Sequence, residues 1–492
     1  MRTCSPIYNA LVAYRARNSL LLQHRPCPLR GLLTLAIETS CDDTSVAILE
    51  KSQLPNGLVG ATLLFHKKVT SNNTAYHGVH PLISLESHQE NLASLVEEAV
   101  QCLPTNKIPD FVAVTRGPGM RSNLATGLDT AKGLAVAWKR DIVGVHHMQA
   151  HALTPRLVAA LENTTSNSAS LGPSIHSDGL VPDFPFLSVL ASGGHTLLIH
   201  SETLIDHHIL ASTNDIAVGD CLDKVSRAVL PPHVLQTART TMYGALLETF
   251  AFAPSQVENV AHSKAPRADA GRPDVEIVND VSLERSTAAE YQAIYRERYS
   301  YTVPKNNEEA VKRNTTKWGW AFQQPLSKAA GGTKRKSMEM SFSGLLTAIE
   351  RAVRFKTDLV TGKLTKLNRE HEDISTEERR DMAREAMRAA FEHIANRVVL
   401  GLQYNESLTT VVMAGGVAAN TYLRFILAST LCSAGYSHVS LVFPPPSLCT
   451  DNAAMIAWAG CEMYDAGYNS SRAIRALRKW PLDKIVNPPN DD

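Results

Sequence analysis

From Leu32 onward the chain is organised as apolar runs broken at short polar turns. Leu32–Glu50 reads L-L-T-L-A-I-E-T-S-C-D-D-T-S-V-A-I-L-E: an apolar strand, a tight turn carrying hydroxyls and carboxylates, and a second apolar strand. That pattern predicts a hairpin. The design returns at Phe186–His200, F-L-S-V-L-A-S-G-G-H-T-L-L-I-H, with Ser192, Gly193 and Gly194 in the turn, and the recurrence predicts a duplicated unit. Glycine and small hydroxyl residues in a turn let backbone N–H groups approach phosphate oxygens closely. Taken alone, most Gly-Gly turns are only turns. At Val411–Arg424, V-V-M-A-G-G-V-A-A-N-T-Y-L-R, a buried strand is expected to enter a helix through Gly415-Gly416, an order common to many nucleotide sites. Asp373–Val399 carries apolar residues at helical spacing, with Ser375 or Thr376 as its N-cap.

Two strand-rich lobes, each opened by a hairpin, are similar to the duplicated α/β fold of actin, the sugar kinases and the Hsp70-type ATPases, where a nucleotide lies in a central cleft between the lobes. The expected organisation is an N-terminal lobe over 31–185, a C-terminal lobe over 186–480 and a disordered tail over 481–492. Apolar periodicity is largely lost over about 255–337, which reads as a surface insertion, with a helix expected around Leu283 to Arg298. A second loop, rich in Ser, Asn and Pro, is expected over 163–183.

Candidate chemistry lies in Val143–His151, V-G-V-H-H-M-Q-A-H. His147 and His151 stand four residues apart in a stretch that can continue as a helix, so both imidazoles share one face, as two ligands of one metal ion require. His146 would point about a hundred degrees away on such a helix. Two ligands do not complete a shell, and the best-placed carboxylate is Asp451, at the loop-to-helix junction of P-P-P-S-L-C-T-D-N-A-A-M-I-A-W-A-G. Most H-x-x-x-H spacings belong to ordinary polar residues on half-buried helices, so the weight of this reading rests on the other motifs.

Composition changes the picture only locally. With 49 Lys and Arg against 48 Asp and Glu in 492 residues, bulk charge neither demands nor excludes a nucleic-acid partner, and any RNA contact must use a local basic patch. The first thirty residues hold five Arg and no acid, with apolar residues between them, which is the chemistry of a mitochondrial presequence over 1–30. Arg15 and Arg17 interrupt the apolar core that a secretory signal needs, and no later run reaches the eighteen or so apolar residues of a membrane span. A protein of the mitochondrial matrix with no membrane partner is expected. The eight Cys are scattered without C-x-x-C pairs and read as free thiols.

Taken together, I-E-T-S-C-D-D-T, G-V-H-P-L-I-S-L-E-S-H, R-G-P-G-M-R-S-N-L-A-T-G-L, H-H-M-Q-A-H, S-G-G-H-T, D-K-V-S-R, S-F-S-G-L, G-G-V-A-A-N and C-T-D-N-A-A-M-I resemble the tRNA threonylcarbamoyladenosine-forming transferases, most of all their organellar branch. The likeness covers about Leu35 to Gly460. It implies transfer of a threonylcarbamoyl group from threonylcarbamoyl-adenylate to N6 of the adenosine beside the anticodon, in tRNAs that read codons beginning with A. An exocyclic adenine amine is a poor nucleophile, so the donor must be an activated anhydride. A divalent metal, one per subunit, held by His147, His151 and Asp451 suits that need, and two histidines with one carboxylate fit zinc or iron. On the family's pattern Leu190, Ala191, Ser192, Gly193 and Gly194 border the substrate, Asp223 binds the ribose, Gly244 the nucleoside region and Asn420 the adenine side. A homodimer is the expected assembly. The chain departs from the pattern at Gly219-Asp220, where the family usually has Gly-Glu, at Tyr243-Gly244-Ala245, where it has Gly-Gly-Pro, and at Glu86, where it often has Arg.

Three rival readings fit the residues less well. A zinc protease needs a glutamate directly after the first histidine, and that position is Met148. An actin-fold kinase has no need of the His-His-Asp set, and a non-catalytic scaffold leaves it without a purpose.

Overall fold

Both hairpins sit at the centre of their own sheet in the computed structural model, which describes residues 31–488 except 74, 75, 77, 166–177, 237–242, 254–280, 328–333, 335, 359, 360 and 362. The expected presequence, the middle of the 163–183 loop and the first part of the insertion lie outside the described residues. In the first sheet β1 (Leu32–Glu38), β2 (Asp43–Gln53), β3 (Val59–Thr70), β4 (Phe111–Gly117) and β5 (Asp141–His146) run in the order β3-β2-β1-β4-β5. The first three pair antiparallel, whereas β4 and β5 join parallel through crossover helices Pro81–Gln101 and Arg121–Trp138.

The second sheet contains β6 (Phe186–Ala191), β7 (Thr196–Ser201), β8 (His207–Thr213), β9 (Glu284–Thr287) and β10 (Glu339–Met340). After the small hairpin of β11 (Phe355–Asp358) and β12 (Lys363–Asn368), it is completed by β13 (Thr410–Ala414) and β14 (Ser440–Phe443), in the order β10-β8-β7-β6-β13-β14-β9. Its core, β8-β7-β6-β13-β14, repeats the first sheet strand for strand: an antiparallel meander of three, then two parallel strands. The mixed α/β duplication read from the recurring hairpins is therefore present as sheet topology.

Three apolar layers hold this together. Leu33, Leu35, Ile37, Val46 and Ile48 on one face of the first sheet pack with Leu92 and Leu95 of the first crossover helix and Leu124 and Leu128 of the second. Ala36, Ala47 and Leu49 on the opposite face share a core with Leu190, Ile199, Val412 and Val442 of the second sheet. Between them lie helices His147–Thr165 and Ala453–Asp465, which are buried almost all round because both faces meet apolar surface. The outer face of the second sheet is covered by helices Val218–Val229, Ser343–Arg354, Thr376–Tyr404 and Thr421–Ser433. The six cysteines among the described residues are free thiols, and no helix among those residues is long and apolar enough to cross a membrane.

Several expectations need correction. The boundary near 185 separates the strands of the two sheets, but helix Ala453–Asp465 returns to the first: Ala453 N donates to Ser45 Oγ at 3.0 Å, and a Cβ on Gly460 would sit 2.8 Å from Ala113. The described part of the surface insertion contributes to the core as well as to the surface. Its β9 closes the edge of the second sheet beside β14, and Tyr291, Tyr299, Trp320 and Phe322 are buried. The helix expected over Leu283 to Arg298 begins only at Ala288, after the strand, with Thr287 and Glu290 forming a capping box. The tail read as disordered from 481 is ordered through Pro488, with Leu482 and Ile485 buried and Trp480 Nε1 donating to Lys484 O at 2.9 Å. The helix read over Asp373–Val399 spans Thr376–Tyr404, and of its two candidate caps Ser375 is the one used.

Candidate metal centre

The histidine helix begins at His147 because β5 ends at His146, pinned to β4 by its ladder. One helical turn then brings His151 beside His147, their rings 4.7 Å apart and nearly perpendicular. Asp451 reaches them from the far end of the chain. Asn452 accepts from Met455 N and caps helix Ala453–Asp465, fixing the preceding residue at the helix mouth. Asp451 Oδ1 lies 3.1 Å from His151 Nε2 and 3.4 Å from His147 Nε2. Two ligands at about 2.0–2.1 Å from a tetrahedral ion are about 3.3 Å apart, so these two edges suit one metal ion, and the ligand atoms of all three residues lie within 4.8 Å of one another. Among the described residues this is the one His/Cys/Asp/Glu group compact enough for an ion.

The arrangement is charged by design. Glu38, fully buried at the end of β1, lies 3.4 Å from His147 Nδ1 and accepts from Ser40 N at 2.6 Å and from the Thr115 hydroxyl. Ser40 Oγ is 3.3 Å from the same Nδ1. Burial works to raise Glu38, but the His147 imidazole overrides it and holds the carboxyl below its ordinary value. Asp451 behaves likewise: burial would push it up, and His147 and His151 hold it well below the usual carboxylate range. Burial would lower His147, yet Asp451 and Glu38 on either side raise it to about 10. Two anions thus converge on a position that demands positive charge, which a proton on His147 or a cation between the ligands supplies. A carboxylate braced on the second nitrogen of a metal-binding histidine orients the ring and strengthens it as a ligand. On the neighbouring turn burial lifts Asp43 to about 6, against the Lys68 ammonium at 3.0 Å.

His146 is not on the helix. It ends β5, and its Nε2 donates to Trp480 O at 2.9 Å. Burial lowers it to about 3, so it is neutral and structural. Glu86, for which no role was assigned, stays outside the centre, while its neighbour His88 is buried between Thr44 Oγ1 at 2.7 Å and Cys41 O at 3.1 Å.

The remaining predicted residues gather around the second hairpin turn. Leu190 and Ala191 end β6 and are buried, Ser192 Oγ accepts from His195 N at 3.1 Å, and Gly193 and Gly194 are exposed. Two further glycines clamp this turn. Gly219 N donates to Ser192 O at 3.1 Å, and a Cβ there would lie 2.6 Å from that oxygen. Gly415, at φ +94, would put a Cβ 2.5 Å from Ala191 O. Through Gly219 the turn meets the helix carrying Asp223, and through Gly415 the loop leading to Asn420. Asp223 Oδ1 accepts from Tyr243 N at 2.8 Å and Gly244 N at 3.1 Å, which joins two predicted residues directly. Burial nevertheless raises Asp223 to about 6. Asn420 caps helix Thr421–Ser433 by accepting from Leu423 N.

Sequence reasoning missed Glu38, Ser40 and His195. Glu38 had a signal, a lone acid ending an apolar strand, since a buried carboxylate needs a partner. His195 follows the Gly-Gly turn and faces the centre: burial first, then His147, lowers it to about 4.

The comparisons with known proteins agree with this geometry. A sequence profile described as TsaD, tRNA N6-adenosine threonylcarbamoyltransferase, matches residues 64–330 and 265–458. The chain is 32% identical over 498 residues to the Schizosaccharomyces pombe protein named "tRNA N6-adenosine threonylcarbamoyltransferase, mitochondrial", covering 98% of this chain and 96% of that one. Bacterial proteins named tRNA N6-adenosine threonylcarbamoyltransferase are similar too, at 30% identity in Dinoroseobacter shibae (92% of this chain, 95% of that one). In Rhodopseudomonas palustris the identity is 28%, over 93% of this chain and 96% of that one. Similarity that runs almost end to end shows that the chain belongs to the tRNA N6-adenosine threonylcarbamoyltransferase family.

Proposed function

We propose that this chain forms threonylcarbamoyladenosine in tRNA: it moves the threonylcarbamoyl group of threonylcarbamoyl-adenylate to N6 of the adenosine next to the anticodon, in tRNAs reading codons that begin with A. The observation that carries the reading is the convergence of His147 and His151 with Asp451, which lies 300 positions beyond His151, beside a glycine-clamped turn. In the reaction the N6–C bond forms, the bond from the carbamoyl carbon to the adenylate oxygen breaks, adenylate leaves, and N6 loses a proton.

His147, His151 and Asp451 would hold a zinc or iron ion, which would supply Lewis-acid polarisation of donor oxygens and stabilisation of developing negative charge. Glu38 keeps His147 in the orientation a ligand needs. Gly193 and Gly194 leave their N–H groups open to an adenylate phosphate, and Asp223 is suited to accept from ribose hydroxyls, with Gly244 and Asn420 toward the nucleoside and adenine. His195, neutral above pH 4 or so, adds no second cation to the site. The repeated sheet order supports an actin-like duplication with the nucleotide between two lobes. The same reading includes a homodimer and a mitochondrial matrix location directed by 1–30, in line with the mitochondrial relative.

One purified sample assayed for threonylcarbamoyl transfer to unmodified tRNA, phosphoryl transfer and peptide cleavage tests the proposal. Modified nucleoside alone is expected. Phosphorylation or cleavage without it would replace the transferase reading by the kinase or protease one, and no activity at all by the scaffold. Fluorescent fusions with and without 1–30 test the address: loss of mitochondrial signal on truncation is expected, and retention refutes it.

A further inference from the structure

The chain as a whole is nearly neutral, so any strongly basic surface is local. One such stretch is Ser471–Lys484, S-R-A-I-R-A-L-R-K-W-P-L-D-K, where Arg472, Arg475, Arg478, Lys479 and Lys484 stand against a single carboxylate, Asp483. Burial sorts the segment into two sides. Ile474, Ala476, Leu477, Trp480 and Leu482 are buried, and all five cations are exposed. Some exposed cations elsewhere pair, as Lys107 does with Glu50 and Lys334 with Glu339. These five form no ion pair with a carboxylate among the described residues.

The segment is fixed at the metal end of the first sheet. Leu477 N donates to Arg116 O at 2.8 Å, Arg116 Nε to Arg475 O at 3.2 Å and Gly119 N to Arg478 O at 3.3 Å. Gly117 admits the segment, since a Cβ there would lie 2.2 Å from Leu477 O. Trp480 is bound through its carbonyl to His146, which adjoins His147 in the chain. From the same loop Met120 N donates to Ser40 O, and Ser40 touches His147. A row of unpaired cations is thereby mounted on the elements that carry the metal ligands.

We infer that Arg475, Arg478 and Lys479 form a phosphate-contacting ridge that seats the RNA acceptor against the metal centre. This rests on the transferase reading above. Phosphodiesters fit better than a protein surface, because the large apolar side chains of the segment, Ile474, Leu477, Trp480 and Leu482, are buried and leave no large apolar centre for a protein interface, whereas exposed guanidinium and ammonium groups on a pinned backbone match a polyanionic one.

The test uses the full chain, unmodified tRNA and threonylcarbamoyl-adenylate. The variant Arg475→Gln/Arg478→Gln/Lys479→Gln is compared with a charge-matched control on exposed positions elsewhere, Lys312→Gln/Lys363→Gln/Lys366→Gln. The ridge variant is expected to weaken tRNA binding about tenfold or more and to lower the slope of log Kd against log salt by about 2 to 3. Its KM for tRNA rises while kcat, metal content and Tm stay near those of the unaltered protein, and the control behaves as the unaltered protein does. If the unaltered protein modifies tRNA and the ridge variant binds it with the same affinity and salt slope, the ridge assignment falls alone and an acidic protein becomes the better ligand. Equal weakening in the control also overturns it. If the unaltered protein neither binds nor modifies tRNA, the transferase reading falls with it.

Discussion

Glu38 Oε2 and His147 Nδ1 lie 3.4 Å apart although 109 positions separate them in the chain. The pair joins the first strand of the first sheet to the first residue of the central helix, and sets a carboxylate behind a candidate metal ligand. Glu38→Gln preserves the shape and removes the charge. It is predicted to weaken metal binding by about 10- to 100-fold, in the range of such supporting partners, with a parallel loss of transfer activity. Competition with a graded series of chelators measures it, and wild-type metal affinity in Glu38→Gln would refute the role.

The ligands and their neighbour should separate by readout. His147→Ala, His151→Ala and Asp451→Ala are each predicted to lose metal and activity while the chain stays folded. His146→Ala should instead keep the metal ligands and lose stability, by about 1–3 kcal/mol, because it leaves the Trp480 carbonyl without its donor and opens a buried space. Metal content by mass spectrometry and denaturant melts distinguish the two classes, and full occupancy in both His147→Ala and His151→Ala refutes the centre.

Asp223 carries a pH signature. Its folded pKa, about 6, is above the ordinary 3.8, so folding favours the protonated form. The stability it contributes is present at low pH and is lost as pH rises through 3.8 toward 6. Ribose binding needs the ionised form as acceptor, which exists above 6. Nucleoside affinity is predicted to fall roughly tenfold from pH 7.5 to 5, the size of a charge-assisted hydrogen bond. Asp223→Asn should bind weakly at both pH values and be the more stable chain at pH 7.5. Titration calorimetry across that range decides, and an equal pH dependence in Asp223→Asn would assign it to another group.

The segment from Val281 to Ser327 is structural. Tyr299→Ala removes a buried ring that packs on Phe252, Tyr422 and Phe425 and is predicted to cost about 3–5 kcal/mol. Replacement of 281–327 by a flexible linker should yield a chain that does not fold. A cooperative melt at the wild-type temperature after that replacement would return the segment to the surface.

The hairpins, the strand into Gly415-Gly416, the 376–404 helix and the spacing of His147 and His151 were legible from the amino acids because each is written in a local period or a local turn. Asp451 was legible only as a loop-to-helix carboxylate of the right type. Its partners could not be read from spacing, since no local rule links residues 300 positions apart. Glu38 and His195 escaped for the same reason: a single acid or imidazole next to an apolar strand has no period, and its role exists only once another element packs against it. His146 was misassigned because the chain can continue as helix there, but the ladder with β4 holds it in the strand for one residue more. The insertion was misread because Tyr291, Tyr299, Trp320 and Phe322 are spaced irregularly, and irregular apolar residues look solvated until a helix such as Thr421–Ser433 covers them. Local propensity selects the elements, whereas long-range burial selects which faces meet, and the metal centre is made where faces from both ends of the chain meet.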